Sequence, residues 1–270
     1  MDRRKPRSIH AIVTDPPYGF REYTNGEQAK LRRGRGGVWR IPPKLDGYAR
    51  NPVPRFTVLG DRDLEQLDEL MRAFARAAMR VLVPGGHVII ATNPLLSGIA
   101  YRPLILAGFE KRGEIVRLVQ TLRGGDRPKN AHREFSNVTV MPRSGFEPWG
   151  LFRKPCEGRV EDNLRKWKTG GLRRPSETSP FVDVIRSAPT HAAERALANH
   201  PSLKPQAFMR AIVRGALPLG EGVILDPFAG SGSTLAAALA VGYSSIGIEL
   251  SPRYFRVARR AIPRLSRLEI

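Results

Sequence analysis

Two short runs in this chain of 270 residues combine acids, prolines and glycines in patterns suited to chemistry on an amine. The first, Asp15-Pro16-Pro17-Tyr18, closes the apolar run Ser8 to Asp15. An amine that is to receive a group needs acceptors for its hydrogens and, where it hangs on an aromatic ring, a flat face for that ring. The Asp15 carboxylate and the Pro16 carbonyl are such acceptors, and Tyr18 is such a face. The stiff double proline keeps them from closing into ordinary turn hydrogen bonds.

The second run, Asp226-Pro227-Phe228-Ala229-Gly230-Ser231-Gly232-Ser233-Thr234, lies between a strand-like and a helix-like segment. Glycines there let a ligand approach the backbone closely. The pattern departs from the phosphate loops: Leu235 stands where a dinucleotide fingerprint needs its third small residue, and no lysine precedes Ser233 as a triphosphate loop requires. A second acid, Glu249, ends the next apolar run, where a carboxylate suits ribose hydroxyls. A ligand with a ribose, an amine and a positive centre but no phosphate fits these groups, and S-adenosylmethionine has those features.

Both runs need strands that end at one edge of a sheet. Ser8 to Asp15, His87 to Thr92, Gly222 to Leu225 and Ser245 to Glu249 read as buried strands. Between the first two, Leu64, Leu67, Leu70, Met71, Phe74, Ala75, Ala78 and Leu82 recur at steps of three and four. They predict a helix over 63–82, ended by a tight turn at Pro84-Gly85-Gly86. Further helices are expected over Pro94 to Gly108, from about Pro205, over Ser233 to Val241 and from Pro252. Strands are expected at Glu114 to Leu122, Asn137 to Met141 and Trp149 to Arg153. Such alternation builds a parallel sheet with its ligand crevice at the carboxyl ends of the strands.

Together the two runs resemble those of a known family, the amino-directed DNA methyltransferases. Residues 15–18 look like its catalytic motif and residues 226–234 like its cofactor loop. A third stretch, His200-Pro201-Ser202-Leu203-Lys204-Pro205, is similar to the family's HPxxKP element. The order, catalytic motif first and cofactor loop last, implies the circularly permuted β group. The resemblance implies an α/β fold with a doubly wound, mostly parallel, Rossmann-like methyltransferase sheet carrying basic inserts. It implies S-adenosylmethionine as cofactor, double-stranded DNA as partner, and methyl transfer to the exocyclic amine of a flipped base. The aspartate that opens the catalytic motif favours adenine N6, with cytosine N4 as the alternative.

By the same resemblance, Asp15, Pro16, Pro17 and Tyr18 hold and stack the base. Asp226 approaches the methionine amine, Glu249 the ribose, and Pro227, Phe228, Ala229, Gly230, Ser231 and Gly232 line the cofactor. His200, Lys204 and Pro205 close the methionine end. The pattern departs at the start: where the family has a strand and an acidic, hydrophobic segment, only Met1 to Arg7 precede the catalytic strand. An N-terminal edge segment of the sheet is therefore expected to be missing.

Composition points the same way. The chain has 45 Lys and Arg against 25 Asp and Glu, a net charge of +20, and only nine of the basic residues are Lys. Arginine's planar fork suits phosphates and guanine edges. The excess gathers in two places: a Gly- and Pro-rich insertion at 19–60 with Arg32, Arg33 and Arg35, and a stretch at 156–199 with Arg165, Lys166, Lys168, Arg173 and Arg174. The expected organisation is a catalytic part over 1–155, a DNA target-recognition insert over 156–199, and a cofactor-binding part of the same domain over 200–270. A single cysteine, Cys156, permits no internal disulfide and suits a reducing, cytoplasmic setting. His10, His87 and His132 lack metal-ligand spacing, so no metal is expected. No apolar run approaches the roughly 18 residues of a membrane span, so no membrane partner is expected. The intact Asp15–Tyr18 motif, glycine loop and Glu249 argue against a catalytically idle DNA-binding protein with the same fold.

If the insertion grips phosphates, substituting Arg32, Arg33 and Arg35 together lowers DNA affinity. It also reduces the salt slope by up to about three counterions, while S-adenosylmethionine affinity stays unchanged. Binding isotherms over a salt series check this.

Overall fold

The computed structural model describes residues 1, 4–17, 44–45, 48–49, 60–119, 128, 130–140, 142, 145–198, 200 and 202–270. Tyr18, Arg32, Arg33, Arg35 and Pro201 lie outside them. The described strands are β1 (Ile9–Thr14), β2 (Lys44–Leu45), β3 (Tyr48–Ala49), β4 (Leu82–Ala91), β5 (Glu110–Leu118), β6 (Phe146–Arg153), β7 (Val184–Arg186), β8 (Val223–Asp226) and β9 (Ser244–Gly247). The described helices are α1 (Asp61–Val81), α2 (Ser97–Leu106), α3 (Val160–Trp167), α4 (Ala192–Leu197), α5 (Gln206–Ala216), α6 (Ser233–Ala240) and α7 (Pro252–Leu265).

β2 and β3 form a two-stranded ladder, and the other strands form one sheet in the order β7-β5-β6-β4-β1-β8-β9. All neighbours pair in parallel except β6, which runs antiparallel to both β4 and β5. Strand residues alternate between two cores. Ile9, Ile12, Val88 and Ile90 face α1 and α2, burying Leu67, Met71, Phe74 and Leu104. Ala11, Val13, Ile89 and Ala91 face α5 and α6, burying Phe208, Met209, Ile212 and Ala237. Both faces covered by helices is the condition under which parallel strands read as continuous apolar runs.

Chain order reverses at β1. Its neighbour on one side is β4, reached through α1, and on the other β8, which comes from the far end of the chain. Crevices open at the carboxyl ends of strands at such a switch point. Thr14 and Asp226, the last residues of β1 and β8, flank it.

Several expectations need correction. The Pro84-Gly85-Gly86 segment is no turn, because α1 passes directly into β4 and the three residues bulge inside the strand. The pairing jumps from Ile9↔Leu82 to Ala11↔His87. Gly85 adopts φ +75°, and a Cβ there would lie 2.3 Å from Asn163 Nδ2, so close approach rather than chain reversal requires the glycine. The strand expected over Asn137 to Met141 does not form in its described residues, 137–140: residues 130–137 are turns, and Val138 and Val140 stay exposed because β5 takes β6 as its partner. That antiparallel register, from Glu110↔Arg153 to Leu118↔Phe146, also starts β5 and β6 earlier than their apolar cores suggest.

Gly150 in β6 is covered by Tyr101 from α2: a Cβ would sit 2.5 Å from Tyr101 Cε1, and the tyrosine is only 5% exposed. Gly150→Ala should lower unfolding stability by about 1–3 kcal/mol, the usual cost of overpacking. Urea denaturation measures it, with an unchanged m-value expected.

Candidate functional site

The crevice is an open cleft whose lining includes Asp15, His200, Ser202, Lys204, Asp226, Phe228, Gly230 and Ser231. Asp15 directly follows β1, with Pro16 buried and Pro17 exposed behind it. Across the switch point, Thr14 Oγ1 donates to Asp226 Oδ1 at 2.6 Å, and the Phe228 amide donates to the same oxygen at 3.1 Å. Asp226 is 4% exposed. Burial pushes its carboxyl up to about 6, the nearby Asp15 adds to the rise, and the hydrogen bonds from Thr14, Thr234 and the Phe228 amide oppose it.

The glycine loop has the form that the sequence suggests. Gly230 (φ +52°) packs against the His200 ring, and Gly232 (φ +86°) caps α6 where a Cβ would meet Ile262 Cγ1 at 2.5 Å. Glu249, just past β9, accepts the Gly230 amide on Oε2 at 2.8 Å and the Ser251 amide on Oε1 at 2.7 Å. Each carboxylate oxygen keeps a second lone pair for a ligand hydroxyl. Leu250 beside it is 97% exposed and offers apolar surface to a flat ring. The positive-φ glycines, the carboxylates of Asp226 and Glu249, and the apolar Phe228 and Leu250 together fit a nucleoside that carries an amino-acid tail.

His200 accepts the Ser202 amide on Nδ1 at 3.1 Å and meets the Tyr254 ring edge to face at 4.4 Å between centroids. Burial holds its imidazole below the ordinary range, against the pull of Asp15 and Glu249. Lys204 is placed differently from its neighbours in the sequence. Its ammonium lies 2.9 Å from Asp15 Oδ2 and 3.0 Å from Glu147 Oε1, so it points at the residue that follows β1. Burial alone would lower the Lys204 pKa, but the two carboxylates raise it. Burial would likewise raise Glu147, yet Lys204 and Arg117 hold its carboxyl below the usual value. Losing one member of such a buried cluster leaves an uncompensated charge, at a cost of about 3–5 kcal/mol.

Sequence reading missed Thr14, Arg117 and Glu147. Thr14 looks like any β-branched strand residue. The signal for Glu147 was an acid beside the apolar run of β6, whereas Arg117 is one of several charges in β5 and nothing in the sequence sets it apart.

The structure does not bring Arg165, Lys166, Lys168, Arg173 or Arg174 to the cleft. Arg165 pairs with Asp162 at 2.9 Å, Lys166 with Glu157 at 2.6 Å, and Lys168 with Glu221 at 3.8 Å. Arg173 donates to the Tyr243 hydroxyl at 2.8 Å, and the Arg174 carbonyl accepts from Arg214 at 2.9 Å. This group gathers where α3 meets the bulge of β4, through Asn163 Nδ2 to the Pro84 carbonyl at 3.1 Å. It therefore sits at the amino ends of the parallel strands, a strand length of roughly 20 Å from Asp15.

A family model described as DNA methylase matches residues 126–260. The Type II methyltransferase M2.DpnII of Streptococcus pneumoniae is 34% identical over 267 residues, covering 97% of this chain and 85% of that protein. A shorter match, 41% over 64 residues, joins 24% of this chain to 21% of the DNA adenine methyltransferase YhdJ of Escherichia coli. Among solved structures, the DNA modification methylase TTHA0409 of Thermus thermophilus, complexed with S-adenosyl-L-methionine, aligns with a TM-score of 0.57 at 22% identity, over 98% of this chain and 91% of that one.

Thr14→Val keeps the shape and removes the hydroxyl, so the Asp226 carboxyl should titrate above its present value of about 6. Carbon-13 NMR of the carboxyl across pH 4–9 reads the shift. An unmoved midpoint would show that the Thr14 bond does not hold the charge.

Proposed function

This chain belongs to the DNA methylase family, whose reaction transfers a methyl group from S-adenosylmethionine to an exocyclic amine of a DNA base, and we propose that here the base is adenine, methylated at N6 within double-stranded DNA. The observation that carries the reading is the meeting of Asp15 and the Asp226–Gly232 loop in one cleft at the switch point of the sheet. The aspartate that opens the catalytic motif supports adenine, as does the local similarity to a protein named a DNA adenine methyltransferase.

Bound S-adenosylmethionine supplies a methyl group on a sulfonium centre. Asp226, Phe228, Gly230, Gly232 and Glu249 would hold it, the first toward the methionine amine and the last toward the ribose. Asp15 and the Pro16 carbonyl then accept hydrogen bonds from the two amine hydrogens, which aims the nitrogen lone pair across the cleft, and one of the two protons is released as the nitrogen gains its methyl group. The base must leave the duplex to get there, at a cost of a few kcal/mol. Stacking on Tyr18, worth about 1–3 kcal/mol, offsets much of that cost. The Lys204 ammonium at 2.9 Å holds the Asp15 carboxylate in place as an acceptor. With the 165–174 cluster at the far end of the sheet, the insertion at 19–60 remains the basic segment joined directly to the catalytic motif, and we assign it the grip on DNA phosphates.

Incubation with labelled S-adenosylmethionine and duplex DNA, followed by hydrolysis to bases, should yield N6-methyladenine. N4-methylcytosine would replace the adenine reading, and no incorporation would favour an idle DNA-binding protein. Asp15→Ala should lower turnover by at least about 10²-fold, the scale of losing one hydrogen-bonding group to the transition state. Cofactor affinity by calorimetry should stay near that of the wild type.

A further inference from the structure

Glu147 lies on neither sequence motif, yet it is the hub of the charges behind Asp15. It is the second residue of β6, the one antiparallel strand of the seven-stranded sheet, and so reaches the edge where the parallel strands end. Its Oε1 accepts from the Lys204 ammonium at 3.0 Å and from the Trp149 indole at 3.0 Å, and its Oε2 from Arg117 Nη1 at 2.9 Å. Arg117 is itself fixed at the end of β5: Nε donates to Ser187 Oγ at 3.0 Å, Nη2 donates to the Ala188 carbonyl at 3.1 Å, and the guanidinium lies 5.5 Å from the Phe208 ring centre. The result is a chain of alternating charge, Arg117–Glu147–Lys204–Asp15, that runs across the carboxyl edge of the sheet.

A lysine ammonium is a point charge on a flexible stem with no preferred fork geometry. Paired with Asp15 alone, it would swing with that side chain. Held by Glu147 as well, it has one position. We propose that Glu147, braced by Arg117, is a positioning residue for methyl transfer: it pins the Lys204 ammonium, which in turn fixes and orients the Asp15 carboxylate for the target amine. This rests on Asp15 being the group that receives the amine. The two ends of the chain are then distinct in kind, with Asp15 touching the base and Glu147 acting only through Lys204.

Four proteins test it: wild type, E147Q, E147D and R117K. E147Q keeps the size and one acceptor but removes the charge. It should lower kcat by about tenfold or more, while KM for duplex DNA and the affinity for S-adenosylmethionine stay within about twofold. E147D, whose shorter carboxylate keeps the charge, should recover part of the loss. R117K should fall between E147Q and wild type, and serves as the folded counterpart should E147Q not accumulate. The nitrogen-15 signal of the Lys204 ammonium, sharp when both carboxylates hold it, should broaden in E147Q even without DNA or cofactor. A wild-type kcat in E147Q and R117K, with Asp15→Ala inactive, overturns the positioning role and leaves the proposed reaction standing. Equal losses of kcat and cofactor affinity overturn it too, since Glu147 would then act on the cofactor side. An Asp15→Ala variant with full activity would instead remove the proposed role of Asp15.

Discussion

The hydrogen bond from Thr14 to Asp226 joins residues 212 positions apart in the chain, and the site depends on it. It spans the gap between β1, which leads into Asp15-Pro16-Pro17, and β8, which leads into the glycine loop. Parallel strands place backbone ends side by side, but the acids beyond them would repel. The Thr14 hydroxyl directs its hydrogen to Asp226, and Lys204 directs its charge to Asp15. With each acid given its own partner, two carboxylates share one cleft.

From that arrangement the division of labour follows. Asp226 is buried and held by neutral donors, so its charge is hard to sustain and responds to whatever cation approaches. Asp15 has a cation of its own beside it. Glu249 is anchored by two backbone amides and ties the end of β9 to Gly230, giving the loop a fixed floor. The same fold thus keeps three acids in three settings, two lining the cleft and the third bonded to the backbone of its loop.

Much of this was legible in the sequence because short-range chemistry dictates it. The apolar run into Asp15, the glycines between Asp226 and Ser233, and the helical period of Leu64 to Leu82 each have a local physical cause, and each has a counterpart in the fold. What escaped was set by partners distant in sequence. The glycines at 85 and 86 look like a turn until Asn163 is found pressed against the first. Val138 and Val140 look like a strand until β5 and β6 pair without them. The pairing of Arg165, Lys166 and Lys168 with Asp162, Glu157 and Glu221 is likewise invisible in their charge alone. Glu147 escaped because its meaning lies in Lys204 and Arg117, contributed by two other parts of the chain.

The pairing of β1 with β8 also governs when the molecule can become whole. A growing chain makes β1, α1 and β4, which can dock on one another, well before it makes β8. The other edge of β1 stays open until β8 has been made, more than 200 residues later. Non-local parallel pairing is slow because the intervening loop must close first. An unpaired edge of apolar residues such as Ala11 and Val13 meanwhile invites wrong partners. β1 is thus made well before both of its edges can be paired. Until that pairing is complete, the cleft has only one of its two walls.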